Sequence, residues 1–307
     1  MKKNLMKKEM KTRVVFVILN YETYWETIAC IESIYETIGK ETIGLKGNSI
    51  VLVDNGSQND SVSRLCAEIR GVEGIYLLQS KENLGFAKGN NLGFKFAKKE
   101  LDPDFIIMSN SDILMIDENF TSKLDTYYSE YQFAVAAPDA ITPNGKHLNP
   151  YVSNRLTIQG VEQGIRDMKI NIALCKIGIE PFIRGCQRIC KRLIPQKERM
   201  IQVGDRLELK NGLQLHGCFL IFSRIYIEQF DGIFDKTFLY GEEVLLRIRC
   251  QRAKLEMYIL PKIKVIHNES RTEKFLRKGI RTRHMIRYTH YLDSLYVIKE
   301  YMESGEL

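Results

Sequence analysis

The chain has 307 residues, of which 44% are hydrophobic, and a formal net charge of +7. This length can bury the core of one large domain or two small ones, and no run of about 18 apolar residues predicts a membrane-spanning helix. The seven cysteines lack paired-ligand spacing, which indicates reduced thiols in a cytoplasmic protein. Residues 1–11 are expected to form a flexible basic leader, because they lack the apolar stretch of a signal peptide.

Strands and helices are predicted to alternate along the first half of the chain. Apolar, β-branched runs predict strands at 12–20, 49–57, 74–80 and 104–112, and helical spacing of apolar residues predicts helices at about 23–34, 60–70 and 85–99. The first helix is expected to begin with a capping box, Thr23-x-x-Glu26, and to carry Trp25 on its apolar side. This alternation is typical of parallel βαβ units, so we expect an α/β fold.

The second half of the sequence is less regular. Its predicted elements are a basic amphipathic helix at 179–193, a buried strand at 213–224, a helix that opens at about 241–243 and a strand pair at 255–270. The amphipathic helix either packs on the domain or lies on a membrane surface. We therefore expect one nucleotide-binding core with an elaborated second half.

Polar side chains follow the predicted strands where the strands stop. They are Asn20, Tyr21, Asp54, Asn55, Asn110 and Asp112. Each one alone could start a turn or cap a helix. The carboxyl ends of parallel strands meet at one edge of a sheet, where ligands bind, so the three groups together favour a site. Asp112 stands between two apolar stretches, and a buried carboxylate needs a partner.

Seven segments carry a resemblance to a known enzyme family. They are VILNYET (17–23), IVLVDNGSQNDS (50–61), NLGFAKGNNLG (83–93), MSNSDI (108–113), LHGCFLIFSR (215–224), FLYGEEVLLRIR (238–249) and VIHNES (265–270). In this order they resemble the inverting nucleotide-sugar glycosyltransferases of family 2, over about residues 13–270. The nearest subgroup is that of the rhamnosyltransferase-like bacterial enzymes of polysaccharide assembly. The resemblance implies the GT-A fold, an α/β fold with a mostly parallel central sheet flanked by helices.

The resemblance implies a donor pocket and a metal site. The residues that it assigns to the nucleotide are Asn20, Tyr21, Asp54, Asn83, Gly85, Asn91 and Asn110. Asp54 resembles the carboxylate that hydrogen-bonds the donor base. Asn110-Ser111-Asp112 occupies the place of the Asp-x-Asp metal motif, with Asn110 replacing the first carboxylate, as in the rhamnosyltransferase-like members. Asp112 and His267 would bind Mg²⁺ or Mn²⁺, which stabilises a leaving diphosphate; a purely structural role for His267 is the alternative.

The resemblance also assigns the catalytic base. Glu242 and Glu243 resemble the acidic pair at the acceptor face, and Glu243 is expected to take the proton of the acceptor hydroxyl. Acidic residues at a helix N-terminus also favour the macrodipole, and both roles can hold together. The family usually continues with an Asp two places after the base. Here Leu245 occupies that place and cannot contribute a hydrogen bond to an acceptor.

We therefore expect an inverting, metal-dependent glycosyltransferase. It would move a hexose or a deoxyhexose such as rhamnose from a UDP- or dTDP-sugar to a growing, lipid-linked cell-surface polysaccharide. The alternative is a catalytically silent nucleotide-sugar-binding or scaffold protein of the same fold. A sugar nucleotidyltransferase is opposed by the missing Gly-rich loop after the first strand, and a NAD-dependent dehydrogenase by the missing G-x-G-x-x-G turn. No nucleic-acid motif occurs.

The expected domain organisation places a GT-A domain at 12–270, with a nucleotide-binding half at about 12–115 and an acceptor half at about 116–270. A basic helical extension would follow at 271–307. Lys and Arg concentrate in two clusters, which are Arg184, Arg188, Lys191, Arg192, Lys197 and Arg199, and Arg271, Lys274, Arg277, Lys278, Arg281, Arg283 and Arg287. They either dock the protein peripherally on the inner face of the cell membrane or form a solvated charged face.

Overall fold

The computed structural model describes residues 12–44, 47–153, 155–184, 207–209, 212–269 and 279–305. Its strands are β1 (Val14–Asn20), β2 (Ser49–Asp54), β3 (Ile75–Gln79), β4 (Phe105–Asn110), β5 (Ile113–Met115), β6 (Val135–Ile141), β7 (Tyr151–Val152), β8 (Leu207–Glu208), β9 (Leu213–Gln214), β10 (Phe219–Ser223) and β11 (Met257–His267). Its helices are α1 (Tyr24–Ile38), α2 (Ser61–Glu68), α3 (Phe86–Phe96), α4 (Phe120–Tyr131), α5 (Ile158–Ile177), α6 (Arg224–Gln229), α7 (Glu242–Arg252) and α8 (Ile280–Ser304). Residues 180–184 are also helical, and short 3₁₀ and π turns cover Lys40–Thr42 and Ala97–Leu101.

One large sheet organises the described strands. Its order is β3-β2-β1-β4-β10-β6-β11-β5, and β8 pairs with β11. The pairs β3-β2, β2-β1, β1-β4 and β6-β11 are parallel, whereas β10 runs antiparallel to both of its neighbours and β5 antiparallel to β11. The parallel pairs are thus the majority along this path, which confirms the predicted α/β fold with a mostly parallel sheet.

Both faces of the sheet are covered by helices, which explains why its strands are continuous apolar runs. Along β1, Phe16 and Ile18 belong to a core cluster shared with α1 and α4. Val15 and Val17 belong to a second cluster, shared with α3, α6 and α7. The alternation follows from the two-residue period of a strand. Because helices cover both faces, the polar groups of the sheet reach a cavity at the ends of the strands.

Two local predictions for the first helix are wrong. Thr23 is the N-cap residue of α1, but its side chain makes no capping hydrogen bond. Its hydroxyl instead donates to Asn20 Oδ1 at 3.3 Å and lies 3.0 Å from Ser111 Oγ. Trp25 is 69% exposed and contacts Tyr24 edge-on at the surface. The Thr23 hydroxyl is thus engaged by Asn20 at the end of β1 and by the distant Ser111 after β4, and not by the backbone of its own helix.

Two predicted strands in the second half also differ from the structure. The predicted strand at 213–224 is broken, because β9 pairs with β7 in a separate two-stranded sheet and β10 lies between β4 and β6. The predicted strand pair at 255–270 is a single strand, β11, which pairs with β6 on both sides of a register shift between Leu260 and Lys264. Pro261 lies in this irregular stretch, where a residue without an amide hydrogen is tolerated.

A layer of three helices covers the second half. Helices α5, α7 and α8 share a core cluster that includes Val161 and Ile165, Leu245 and Ile248, and Leu295. The sequence predicts helices where α7 and α8 lie, whereas it predicts no element at the position of α5. The far end of the chain is therefore packed onto the same body as the sheet.

Several predicted features fall wholly or partly outside the described residues. These are the leader at 1–11, most of the amphipathic helix at 179–193, and the basic residues at 188–199 and 271–278. In the described part of that predicted helix, Ile179 and Phe182 are exposed rather than packed. Among the described helices, none is long and apolar enough to span a membrane.

Candidate active site

The ends of β1 and β2 meet in a buried hydrogen-bond network. Asn20 and Asp54 are register neighbours, and Asn20 Nδ2 donates to Asp54 Oδ2 at 2.7 Å. The backbone N–H of Ser57 donates to Asp54 Oδ1 at 3.0 Å, and Thr27 Oγ1 donates to Asn20 Oδ1 at 2.9 Å. Both carboxylate oxygens of Asp54 thus accept hydrogen bonds, which meets the cost of burying this charge. The parallel pairing of two strands brings these predicted site residues together.

A cavity of about 1100 Å³ opens over these strand ends. Its strand-end wall is defined by Tyr21, Asn55, Asn83, Gly85, Asn110, Ser111, Asp112, His216 and His267. Its helical wall is defined by Arg184, Arg283, His284, Arg287 and His290, and the loop of residues 238–240 borders both. Asn20 and Asp54 do not line the cavity. They are buried directly beneath Tyr21 and Asn55, the next residues in sequence, and support that wall.

The loop at residues 83–85 is held by Asn55. The Asn55 amide donates to Asn83 Oδ1 at 3.1 Å and to the carbonyl of Gly85 at 3.0 Å, and its oxygen accepts from Leu84 N at 3.0 Å. Gly85 has φ of 86°, a conformation that favours glycine. A Cβ there would lie 2.4 Å from the carbonyl oxygen of Phe238, so only glycine permits this close approach.

Asn91 does not line the cavity. Its Nδ2 donates to the carbonyl of Ile233 at 2.7 Å, and its Oδ1 accepts from Ile233 N at 2.9 Å. A Cβ on Gly232 would lie 2.2 Å from Asn91 Oδ1, so the backbone of that loop packs directly on the amide. The contacts of Asn91 among the described residues fix the loop that leads to the acidic pair.

Asp112 and His267 stand side by side at the base of the cavity. His267 Nε2 lies 3.3 Å from Asp112 Oδ1, and both side chains are about nine-tenths buried. β5 and β11 pair antiparallel with His267 opposite Ile113, which accounts for this juxtaposition. His267 Nδ1 is buried and has no hydrogen-bond partner among the described residues. The strand pairing therefore creates an oxygen-and-nitrogen donor pair at the position where the sequence predicts a metal.

His216 and Cys218 extend the group of metal-competent side chains. The ligand atoms of His216, Cys218 and His267 all lie within 4.8 Å of one another. Burial lowers the pKa of His216 to about 4, and the neighbouring His267 acts in the same direction. His216 is therefore neutral at pH 7, as a metal ligand must be. The orphaned His267 nitrogen and this donor set fit a divalent ion, and imidazole favours a transition metal such as Mn²⁺ over Mg²⁺.

The acidic pair opens α7. Tyr240 and Gly241 both have positive φ, 75° and 88°, and turn the chain into the helix. Glu243 Oε1 accepts from Gly217 N at 3.2 Å, which ties it to the residue beside His216. Thr237 Oγ1 donates to Glu242 Oε1 at 3.0 Å. Neither carboxylate is a lining group of the cavity, but both lie directly behind the residues that are.

Both members of the acidic pair have raised pKa values. Burial, together with the neighbouring Glu243 carboxylate, raises the pKa of Glu242 to about 7. Burial likewise raises the pKa of Glu243. A carboxylate with a raised pKa is a stronger base than an ordinary one once it is ionised.

Leu245 does not face the cavity. It is fully buried in the cluster formed by α5, α7 and α8, which also contains Leu295 and Ile298 of α8. An Asp at this position would be placed among apolar side chains. The leucine that replaces the family's Asp therefore packs against apolar residues of α8.

Sequence reasoning missed several groups of the site. Asn55 was recognised as a strand-end residue but not assigned to binding, and His216 lies inside a quoted segment without an assigned role. In the helical wall, Arg283 and Arg287 were grouped in the basic cluster expected to dock on a membrane or to form a solvated face, and His290 was not singled out. Their spacing of four and three residues, which puts them on one helix face, is the signal that could have joined them to this wall.

The fold and the cavity at its strand ends define a GT-A-type α/β protein, and two solved structures share this fold. S. aureus TarS 1-349 in complex with UDP-GlcNAc is 11% identical, has a TM-score of 0.55, and aligns over 92% of this chain and 65% of its own. GalNAc-T7 with UDP, GalNAc and Mn²⁺ is 12% identical, has a TM-score of 0.56, and aligns over 92% of this chain and 48% of its own.

The sequence profile of glycosyl transferase family 2 matches residues 15–192, more than half of the chain. The chain therefore belongs to glycosyltransferase family 2. A relative from Haloferax volcanii, the low-salt glycan biosynthesis hexosyltransferase Agl10, is 21% identical over 253 residues, which are 82% of this chain and 66% of that protein. The chain thus spans just under two thirds of the length of Agl10.

Proposed function

We propose that this protein is an inverting glycosyltransferase that moves a sugar from a nucleotide diphosphate to a glycan acceptor. The observation that carries the proposal is the Asp112–His267 pair at the base of a cavity that is large enough for a nucleotide sugar. Family membership and the name of the Haloferax volcanii relative, a glycan biosynthesis hexosyltransferase, support the same conclusion.

The nucleoside would bind at the strand-end wall. Tyr21 offers an aromatic ring, while Asn55 and Asn83 offer amide groups beside the loop at 83–85. Asp54 would act through Asn20 and Ser57, because both of its oxygens are engaged beneath the cavity. Both solved structures contain UDP or a UDP-sugar, which favours UDP over dTDP for the donor.

Asp112 and His267 would hold a divalent ion, with His216 as a further ligand. When bound, such an ion neutralises the charge that develops on a leaving diphosphate. The His ligands and the Mn²⁺ in the GalNAc-T7 structure favour Mn²⁺ over Mg²⁺. Asn110, which replaces the first acid of the metal motif, supports the rhamnosyltransferase-like subgroup and hence a deoxyhexose or hexose donor.

Glu243 would accept the proton of the attacking hydroxyl. Its raised pKa suits this role, and Gly217 N holds one carboxylate oxygen in place. Negative charges on Glu242 and Glu243 repel each other, which contributes to the raised pKa of Glu242. The hydrogen bond from Thr237 holds the Glu242 carboxylate in place. A single displacement by the acceptor on the face opposite the leaving diphosphate inverts the anomeric centre.

The acceptor would be a growing, lipid-linked cell-surface polysaccharide, with the protein bound peripherally to the inner membrane face. The exposed side chains of Ile177 and Phe182, beside Lys176, support this location, because exposed apolar groups with flanking cations suit an anionic lipid surface. Co-sedimentation with anionic vesicles should fall in the double variant Ile177→Ser, Phe182→Ser. We also propose that the nucleotide-binding half of the GT-A domain ends at about residue 115, and that the acceptor half ends at about residue 270.

The test is a turnover screen of UDP- and dTDP-sugars with Mn²⁺, in which nucleotide release is measured with and without glycan acceptors. We expect release from at least one donor, and Glu243→Gln should abolish it while leaving nucleotide binding intact. A protein that binds nucleotides but shows the same low release in both forms would instead be the catalytically silent alternative. Absence of binding to every nucleotide would overturn the proposal.

A further inference from the structure

The helical wall of the cavity contains cations that the proposed chemistry has not yet used. Arg283 and Arg287 lie four residues apart on α8, so their side chains share one face of the helix, and both line the cavity that contains Asp112. Among the described residues, neither guanidinium has a hydrogen-bond or ion-pair partner. Arg184 differs, because it pairs with Glu180 at 3.1 Å.

This wall is fixed to the loop that carries the acidic pair. The His290 ring stacks on Phe238 with 4.9 Å between ring centroids and 23° between planes. Ser294 Oγ donates to the carbonyl of Leu239 at 2.9 Å. Further along α8, Leu295 and Ile298 are buried against α5 and α7. The two arginines therefore project from an anchored helix rather than from a free end of the chain.

A bound divalent ion would leave the lining of the cavity with a net positive charge. The acidic lining residues are Asp112 and Glu269, and the arginines without an acidic partner among the described residues are Arg283 and Arg287, since Arg184 pairs with Glu180. A divalent ion at Asp112 would add two further positive charges. Unpaired guanidinium groups beside such an ion suit a ligand with several negative oxygens, because arginine binds phosphate through two parallel hydrogen bonds.

We propose that Arg283 and Arg287 bind the diphosphate of the donor from the helical wall of the cavity. This inference rests on the proposed function and extends it to residues outside the segment that the family profile matches. The two arginines would offset the charge that accumulates on the diphosphate as the sugar leaves, together with the metal ion. They also offer a reason why Asn110 can stand where the family has a carboxylate, since a second acid would weaken the attraction for an anion.

The experiment is isothermal titration of the full chain, in the presence of Mn²⁺, with uridine, UMP, UDP and inorganic pyrophosphate, and with the thymidine series in parallel. We expect Arg287→Gln and Arg283→Gln each to weaken UDP or dTDP binding about tenfold or more, as for loss of a charge-assisted hydrogen bond. Binding of the free nucleoside should change less than about twofold. Arg287→Lys should recover part of the lost affinity.

A matched control removes a positive charge from the same helix away from the cavity. Lys299→Gln, whose side chain pairs with Glu162 instead, should leave diphosphate binding unchanged. The inference is overturned if the arginine variants bind the diphosphate as the unchanged protein does, or if they lose nucleoside and diphosphate affinity equally. A third outcome separates the two proposals. If the wild-type protein binds pyrophosphate but no nucleotide, and the arginine variants lose this binding, the arginine site is retained and the proposed donor is rejected.

Discussion

The two walls of the cavity are built in different ways. The strand-end wall is built by strand pairing: parallel pairs bring together the residues that follow β1, β2 and β4, and the antiparallel pair of β5 with β11 places His267 beside Asp112. The helical wall depends on α8, whose position is set by apolar contacts with α5 and α7. One wall therefore follows from backbone pairing within a sheet, whereas the other follows from side-chain packing between helices.

The most damaging change to the helical wall should be Leu245→Asp, which restores the residue usual in the family. It places a carboxylate in a fully apolar cluster, so we expect a loss of about 4 kcal/mol in the free energy of unfolding, from lost packing and an unpaired charge. Leu245→Met, which conserves volume, should cost less than about 1.5 kcal/mol. Urea unfolding of both variants measures the effect; equal stability would show that α8 does not pack there in solution.

On the strand-end wall, Asp112→Asn should reduce turnover by about 10²–10³-fold, as expected for loss of a group that supports the developing charge on the leaving diphosphate. Mn²⁺-dependent UDP binding should weaken in the same variant. The partner change Asn110→Asp keeps Asp112 and should retain Mn²⁺ binding, but it should weaken diphosphate binding because it adds a negative charge beside the anion. Retention of metal-dependent binding by Asp112→Asn would remove this residue from the metal site.

The acidic pair at the border between the walls should make stability depend on pH. Because the folded pKa of Glu242 is raised from 4.5 to about 7, its contribution is fully present below pH 4.5 and is lost as the pH rises through 7. The free energy of unfolding should fall by about 3 kcal/mol between pH 5 and 8, relative to Glu242→Gln. Glu36→Gln, at an exposed position of α1, is the control. Parallel pH profiles for both variants would contradict the buried pair.

The contact between the two walls at Gly85 should give the smallest effect. Gly85→Ala combines a left-handed backbone with a Cβ placed 2.4 Å from the Phe238 carbonyl oxygen, so about 2 kcal/mol of stability should be lost. Gly145 has φ of 78° and would meet no atom within 4 Å, so Gly145→Ala isolates the backbone cost alone. Equal melting temperatures for the two variants would show that the close approach does not matter.

The four predicted strands of the first half, which correspond to β1 to β4, and the polar residues at their ends could be predicted because they follow local rules. β-branched runs mark buried strands, and polar residues after them mark the edge of a parallel sheet. The juxtaposition of Asp112 with His267, separated by 155 positions in the chain, came only from the family resemblance, and the pairing of β5 with β11 supplies its physical cause.

The predictions that failed depend on pairing between distant segments. Thr23 bonds to Asn20 and contacts Ser111 instead of capping its own helix, and the predicted strand at 213–224 breaks where two sheets take different parts of it. The surface that α5 covers and the cavity that the arginines of α8 line could not be predicted, because amphipathic spacing does not reveal which surface a helix covers. Leu245 departs from the family pattern, and the sequence alone gives no reason for it. Its burial against apolar residues of α8 supplies that reason.

The most direct test of the central claim is a crystal structure of the protein with UDP and Mn²⁺. We expect an anomalous Mn²⁺ peak within coordination distance of Asp112 and His267, with the diphosphate between this ion and the arginines of α8. A UDP molecule bound elsewhere on the protein, or a metal ion that Asp112 does not ligate, would contradict it.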